Sequence, residues 1–281
     1  KDGRVMDMLL RGVMLGAFLA VVAGKLPDAR AETEVDLELI LAVDISRSMD
    51  RDELALQRGG YANALRDPDV LGAISSGMHG RIALTYVEWA GTENRRQLVP
   101  WALISGKDDA EAFAQRLEAE PLDAWRGTSI SGGLIFSAGL FEENEFVAPR
   151  RVIDVSGDGP NNMGPPVDQT RDVLVKAGIV INGLPLNLKA PGGGMFNIER
   201  LDIYYEDCVI GGPGAFLITV EDPLRLKEAI RRKMVLEISG LTPDLRPHPG
   251  LDRPGIIPAQ YSPPRIDCAI GERLRRMIWE N

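Results

Sequence analysis

Residues 35–50 read VDLELILAVDISRSMD. The run 37–43 has the length and near-continuous hydrophobicity of a strand buried on both faces. It ends in Asp44-Ile45-Ser46-Arg47-Ser48, which places one carboxylate and two hydroxyls at the tip of that strand. Asp50-Arg51-Asp52-Glu53 then reads as the acidic first turn of a helix. Oxygen-only donors packed this closely at a strand-to-helix turn suit a hard divalent cation, Mg²⁺ first, with Mn²⁺ or Ca²⁺ as further candidates.

Outward from this turn, strands and helices alternate. Helices are expected over 52–65, 107–117, 127–140, 167–176 and 223–238, and a short one over 272–279. Strands are expected over 81–89, 151–155, 179–184 and 215–220, with 97–101 as an edge strand because Pro100 cannot donate within a sheet. Asp67-Pro68-Asp69 reads as the break after the first helix, and Pro191-Gly192-Gly193-Gly194 as a loop. The order predicts an α/β fold: a doubly wound, mainly parallel central sheet flanked by helices on both faces. Right-handed crossovers bring the loops after the strands to one sheet edge, where such folds bind ligands. Asp44, Thr128 and Asp158 all lie in loops that can reach that edge.

The chain has 281 residues, of which 44% are hydrophobic and 26% charged, an ordinary globular balance. Its net charge of −9 argues against nucleic acid as a partner. Residues 1–31 carry an apolar stretch at 13–24 followed by Ala29-Arg30-Ala31, a pattern that suits a secretory signal peptide. An uncleaved anchor or a leader is the other reading, and Met6 or Met8 would be a sensible initiator. The segment holds five basic and three acidic residues, so its removal leaves −11. No later stretch is apolar and long enough to span a membrane. The organisation expected is a signal peptide over 1–31, one domain over 32–240, and a Pro-rich extended tail over 241–281 closed by the short helix. Export would make Cys208 and Cys268 a disulfide, closing a loop of about 60 residues; two buried free thiols are the alternative. The two histidines, His79 and His248, lack ligand spacing.

Asp-x-Ser-x-Ser after a first strand, Gly127-Thr128 opening a helix, and Asp158-Gly159 after a later buried strand together resemble the metal-ion-dependent adhesion site of von Willebrand factor A domains. The resemblance covers 37 to about 238. The whole chain is also similar to a bacterial family of exported A-domain proteins of uncharacterised function. That second likeness is carried by VDLELILAVDISRSMD, YVEWAG (86–91), RRVIDVSGDGPNN (150–162) and YYEDCVIGGPGAF (204–216). The first resemblance implies that Ser46, Ser48 and Thr128 give hydroxyl oxygens directly to the metal, with Asp44 and Asp158 binding it directly or through water. It further implies an open coordination position that a partner protein's carboxylate fills. The third loop departs from many relatives in having Gly157, where they carry a Thr, directly before the Asp.

Each piece also has a plainer reading. Asp44 could make an Asx-turn, Ser46, Ser48 and Thr128 could be helix caps, and Asp158-Gly159 a simple turn. Trp89, Trp101 and Trp125 could form a partner-facing patch, although Trp89 reads better as core. Asp154, inside a strand, could support the site from behind or pair with Arg150 or Arg151. The function expected is an exported, periplasmic or secreted, metal-dependent protein-binding module rather than an enzyme. The competing readings are a metal-assisted hydrolase or phosphatase, and a structural envelope protein that binds through its tail. A serine nucleophile in Gly127-Thr128-Ser129-Ile130-Ser131-Gly132 would lack the Gly-x-Ser-x-Gly elbow.

Overall fold

The computed structural model describes residues 32–188, 196–241, 256–258 and 265–279. The expected signal peptide, the Gly192–194 loop and most of the Pro-rich stretch lie outside the described residues. The elements in chain order are β1 (Thr33–Glu34), β2 (Glu38–Asp44), α1 (Arg51–Leu65), α2 (Pro68–Ser75), β3 (Ile82–Trp89), β4 (Arg95–Ile104), α3 (Lys107–Ala119), α4 (Ile130–Leu140), β5 (Phe146–Val147), β6 (Arg151–Gly157), α5 (Val167–Lys176) and β7 (Ile179–Pro185). There follow α6 (Leu201–Tyr204), running into a π-helical turn at Tyr205–Val209, then β8 (Phe216–Ile218), α7 (Leu226–Ser239) behind a 3-10 turn at Pro223–Arg225, β9 (Ile256–Pro258) and α8 (Ile270–Trp279).

The main sheet runs β4-β3-β2-β6-β7-β8-β9, with the five inner strands parallel and the two edge strands antiparallel. β2 is buried along its whole length and divides its side chains between two cores. Leu39, Leu41 and Val43 pack with Tyr61, Leu65, Ile230 and Met234 of α1 and α7. Ile40 and Ala42 pack on the other face with Ile130, Leu134, Leu174 and Tyr204. An unbroken apolar strand with helices on both faces is the doubly wound, mainly parallel sheet the sequence predicts.

Differences from the expected elements have local causes. Asp67-Pro68-Asp69 does not merely end α1. Asp67 caps α2, accepting from the Asp69 amide at 2.9 Å, and Pro68 sits in the first turn, where its missing N–H costs nothing. β4 is longer than 97–101 and accommodates Pro100 at a bulge, where Leu84 faces Ala102 but Tyr86 faces Val99. The tail is not wholly extended. Residues 256–258 add an antiparallel edge strand to β8, and Ile266, Cys268, Ile270 and Leu274 pack against the second core. Cys208 and Cys268 form a disulfide across 60 residues, worth about 4 kcal/mol in the chain-entropy account.

Asp154 pairs with neither Arg150 nor Arg151. Its Oδ1 lies 2.6 Å from Lys233 Nζ of α7, and Tyr61 Oη donates to its other oxygen at 3.3 Å. The phase of α7 turns Lys233 inward, so the partner comes from a helix instead of from the neighbouring residues. Trp89 is fully buried, as a core residue.

Candidate metal centre

Three loops meet at the carboxyl-terminal edge of the parallel strands. The first continues β2. Its Asp44 is fully buried, and Asp44 Oδ1 accepts from the Ser46 amide at 2.7 Å, so the Asx-turn does form. The serines are not helix caps. Asp50 caps α1 instead, in a capping box where Asp50 Oδ1 accepts from the Glu53 amide and Glu53 returns the bond, both at 2.8 Å. That leaves the serine hydroxyls to face each other, with Ser46 Oγ 2.7 Å from Ser48 Oγ. Ser48 Oγ in turn donates to Asp158 Oδ1 at 2.6 Å, across 110 residues of sequence.

The second loop is laid along the first by backbone bonds. Trp125 N–H donates to Ile45 O at 2.9 Å and Arg47 N–H to Trp125 O at 2.8 Å, while Ser129 N–H ties the loop to Ala90 O, just past β3, at 2.6 Å. Thr128, nearly buried, stands between these anchored points. It is not the cap of α4. Ser129 is, accepting from the Gly132 amide at 3.1 Å. Gly127 adopts φ +84°, a left-handed conformation that only glycine takes without strain, and gives the chain its turn into Thr128. A β-carbon at Gly133 would fall 2.7 Å from the Trp89 ring, so a bare backbone lets α4 settle against the core beneath the site.

The third loop supplies Asp158 and is held from two sides. Gln57 Nε2 of α1 donates to Ser156 Oγ at 2.8 Å. The Asn162 side-chain oxygen accepts from the Thr128 backbone amide at 3.1 Å, while the Asn162 backbone N–H donates to Thr128 O at 2.9 Å. Tyr205 completes the cradle. Its hydroxyl is fully buried, has no hydrogen-bond partner among the described residues, and is pushed well above the usual phenol range by burial and by the carboxylates of Asp44 and Asp158. A β-carbon at Gly157 would fall 2.8 Å from that hydroxyl and 3.0 Å from Asp44 Oδ2. The departure at position 157 thus has a steric reason: Tyr205 takes up the room a side chain would need. Gly157→Ala is expected to lower stability by about 1–3 kcal/mol, seen as an earlier urea midpoint. Gly159→Ala, whose β-carbon meets nothing nearer than 3.8 Å, is the matched control with little change.

The donor set is two carboxylates and three hydroxyls, with an orphaned buried phenol beside it, and it fits a hard oxygen-seeking cation better than a soft one. Among the described residues no three or more His, Cys, Asp or Glu side chains are grouped to hold a metal ion, so any ion here would depend on the hydroxyls as well as the two carboxylates. Asn161, Asn162 and Tyr205 are structural members of the site that motif spacing does not single out.

A family model described as "Protein of unknown function (DUF1194)" matches residues 34–242. The chain belongs to the DUF1194 family. The matched span holds all three loops of this DUF1194 chain but stops short of Cys268 and α8. Among solved structures, it is similar to the pilus adhesin SpaC from Lactobacillus rhamnosus GG at 11% identity and TM-score 0.55, over 74% of this chain and 31% of that one. It is similar to the vWF domain of the type V pili tip protein Mfa5 from Porphyromonas gingivalis at 12% identity and TM-score 0.51, over 71% of this chain and 94% of that one. A von Willebrand factor type A structure from Catenulispora acidiphila matches at 16% identity and TM-score 0.51, over 73% and 43% of the two chains. The DUF1194 chain therefore has a von Willebrand factor A fold, and it spans about a third of SpaC's length. No curated protein matches it.

Proposed function

We propose that this protein is an exported, divalent-cation-dependent binding module that engages an acidic group on a partner protein. Asp44, Ser46, Ser48, Thr128 and Asp158 would hold the ion, Mg²⁺ being the best match to the donors. When bound, the ion supplies an electrophilic position that an incoming carboxylate can occupy. The observation that carries this reading is the run from Ser46 Oγ to Ser48 Oγ to Asp158 Oδ1, at 2.7 and 2.6 Å, joining donors from two loops far apart in sequence. Ser48 is solvent-exposed while Asp44 is buried, so the arrangement opens outward, toward a partner. The disulfide and the N-terminal pattern support export to a periplasmic or extracellular compartment. The fold shared with a pilus adhesin and a pilus tip protein supports a role in protein interaction.

A hydrolase reading has less to stand on. Ser129 is fully buried and spends its hydroxyl on the α4 cap, and the His79 amide binds Asp36, which precedes β2, at the opposite end of the sheet from the site. The test is capture: immobilised protein is exposed to the native envelope fraction with Mg²⁺ and again with excess chelator. Proteins retained only with Mg²⁺, and released when their acidic side chains are amidated, are the expected result. Undiminished capture in chelator would overturn the metal bridge.

A further inference from the structure

The helix that lies beyond the family span reaches the metal-site loops through two asparagines. Asn161 Nδ2 donates to Glu272 Oε1 of α8 at 2.6 Å, while Asn161 Oδ1 accepts from the Ser131 amide and hydroxyl at 3.1 and 3.2 Å. The amide nitrogen also donates to the Pro165 carbonyl at 3.3 Å, and Glu272, the nearer of the two acceptors, helps fix which way the Asn161 side chain points. The backbone of Asn161 is bracketed as well. Its N–H donates to Tyr204 Oη at 3.1 Å, and Tyr204 Oη donates to Cys268 O at 3.3 Å. A β-carbon at Gly271 would collide with the Asn161 carbonyl, so α8 lies directly on this loop. The next residue, Asn162, holds Thr128 through both its amide and its side chain, and Arg275 of α8 donates to the Asn162 carbonyl at 3.4 Å. The strap that keeps α8 there is the Cys208–Cys268 disulfide, reinforced by Arg265 on Asp207 at 3.0 Å.

We propose that α8 braces the metal site from outside, with Glu272 a positioning residue that acts through Asn161 and Asn162 on Thr128. This rests on the reading of Thr128 as a metal ligand. Thr128 is the sole donor of the second loop, as Asp158 is of the third. Its placement depends on the Asn162 clamp, and the clamp on a helix 111 residues from Asn161 in sequence.

The experiment compares the full chain with Glu272→Ala and Glu272→Gln by MgCl₂ calorimetry and by amide hydrogen exchange without metal. Groups that support metal ligands from behind cost about ten- to a hundredfold in affinity when removed, and a loss of that size is expected for Glu272→Ala. Glu272→Gln keeps an oxygen acceptor for Asn161 and should bind as the parent does, which a purely electrostatic or bulk stability role would not give. The Thr128 and Ser131 amides should exchange faster in Glu272→Ala while those of β2 and β6 do not change. If Glu272→Ala does not fold, Arg275→Ala, which frees only the Asn162 carbonyl, replaces it with the same expected direction. Unchanged affinity and exchange in the alanine variant, with normal uptake by the parent, would overturn the brace alone. No uptake by the parent would overturn the metal site and the brace's claim on affinity together.

Discussion

Asp44→Ala and Asp44→Asn are both expected to abolish measurable Mg²⁺ uptake while leaving the fold intact. The two variants separate charge from geometry. Asn retains an oxygen able to accept from the Ser46 amide, the bond that shapes the first loop at 2.7 Å, whereas Ala loses it. If the role of Asp44 were only to form the turn, Asn would behave like the parent. If the carboxylate holds the ion, directly or through water, both lose it. At an effective dielectric near 20, two unit charges about 4 Å apart interact by about 4 kcal/mol, and a divalent ion doubles that. The expected loss of affinity is therefore at least about a hundredfold. The cost to the fold is small, on the order of 1 kcal/mol for one amide left without its acceptor. Thr128→Val removes a neutral hydroxyl at constant volume and should cost less than the loss of charge. Calorimetry on the parent and these variants reads all of this directly. Uptake that survives Asp44→Asn would remove the carboxylate from the ligand set.

The fold is legible in the sequence wherever one residue pattern has one packing solution. Residues 39–43 are apolar without alternation, and only a strand covered on both sides buries them all. The elements that escape such reading are decided by partners remote in sequence. Pro68 reads as a break, yet Asp67 before it is a good cap, and a new helix starts where the old one ends. Residues 256–258 become a strand because β8 leaves an edge for them, and nothing in three residues announces that. The site divides the same way. Ser46, Ser48, Thr128 and Asp158 sit at ends of predictable elements, and the oxygen chemistry of each is visible in its side chain. What holds them is not visible. The Asn162–Thr128 clamp spans 34 residues and the Asn161–Glu272 bond 111, and neither asparagine differs in type from an ordinary turn residue. Tyr205 lies in a stretch noticed for its family likeness, but its hydroxyl reaches the site only because Gly157 leaves it room.

Lys233 is the plainest case of information carried by helix phase. It follows Arg231 and Arg232 in a run of three consecutive basic residues. In α7 the three residues project about 100° apart, and Lys233 alone of them is fully buried. There it meets Asp154 at 2.6 Å and also contacts Glu237, one helical turn on, so two carboxylates share one ammonium in a dry setting. Asn182 of β7 donates to Glu237 Oε1 at 2.9 Å, Tyr61 of α1 donates to Asp154, and the Arg150 guanidinium is turned to the Glu237 and Ile238 carbonyls. No second cation reaches the carboxylates among the described residues. An α7 locked to β6 in this way carries a surplus of buried negative charge.

That surplus makes stability fall as pH rises. Burial, with the Asp154 carboxylate adding to it, pushes the Glu237 carboxyl up to about 7 from its ordinary 4.5, and burial raises Asp154 as well. A group with a raised folded pKa binds its proton more tightly in the folded state. Its stabilising share is complete below the unfolded value and is lost as pH climbs through the folded one, here between about 4.5 and 7. The difference is on the order of 3 kcal/mol, or roughly 5–10 °C in Tm for a domain of this size. We therefore expect Tm to decline from pH 5 to pH 8.5, and Glu237→Gln to flatten that decline and melt above the parent at the alkaline end. The amide supplies an oxygen for Asn182 and carries no charge to desolvate. Lys233→Met should act in the opposite sense, costing about 3–5 kcal/mol at pH 8 because it strands both carboxylates without their cation. Thermal melts of the three proteins across this pH range test the assignment. A Glu237→Gln protein that keeps the parent's slope would mean that another group sets the dependence.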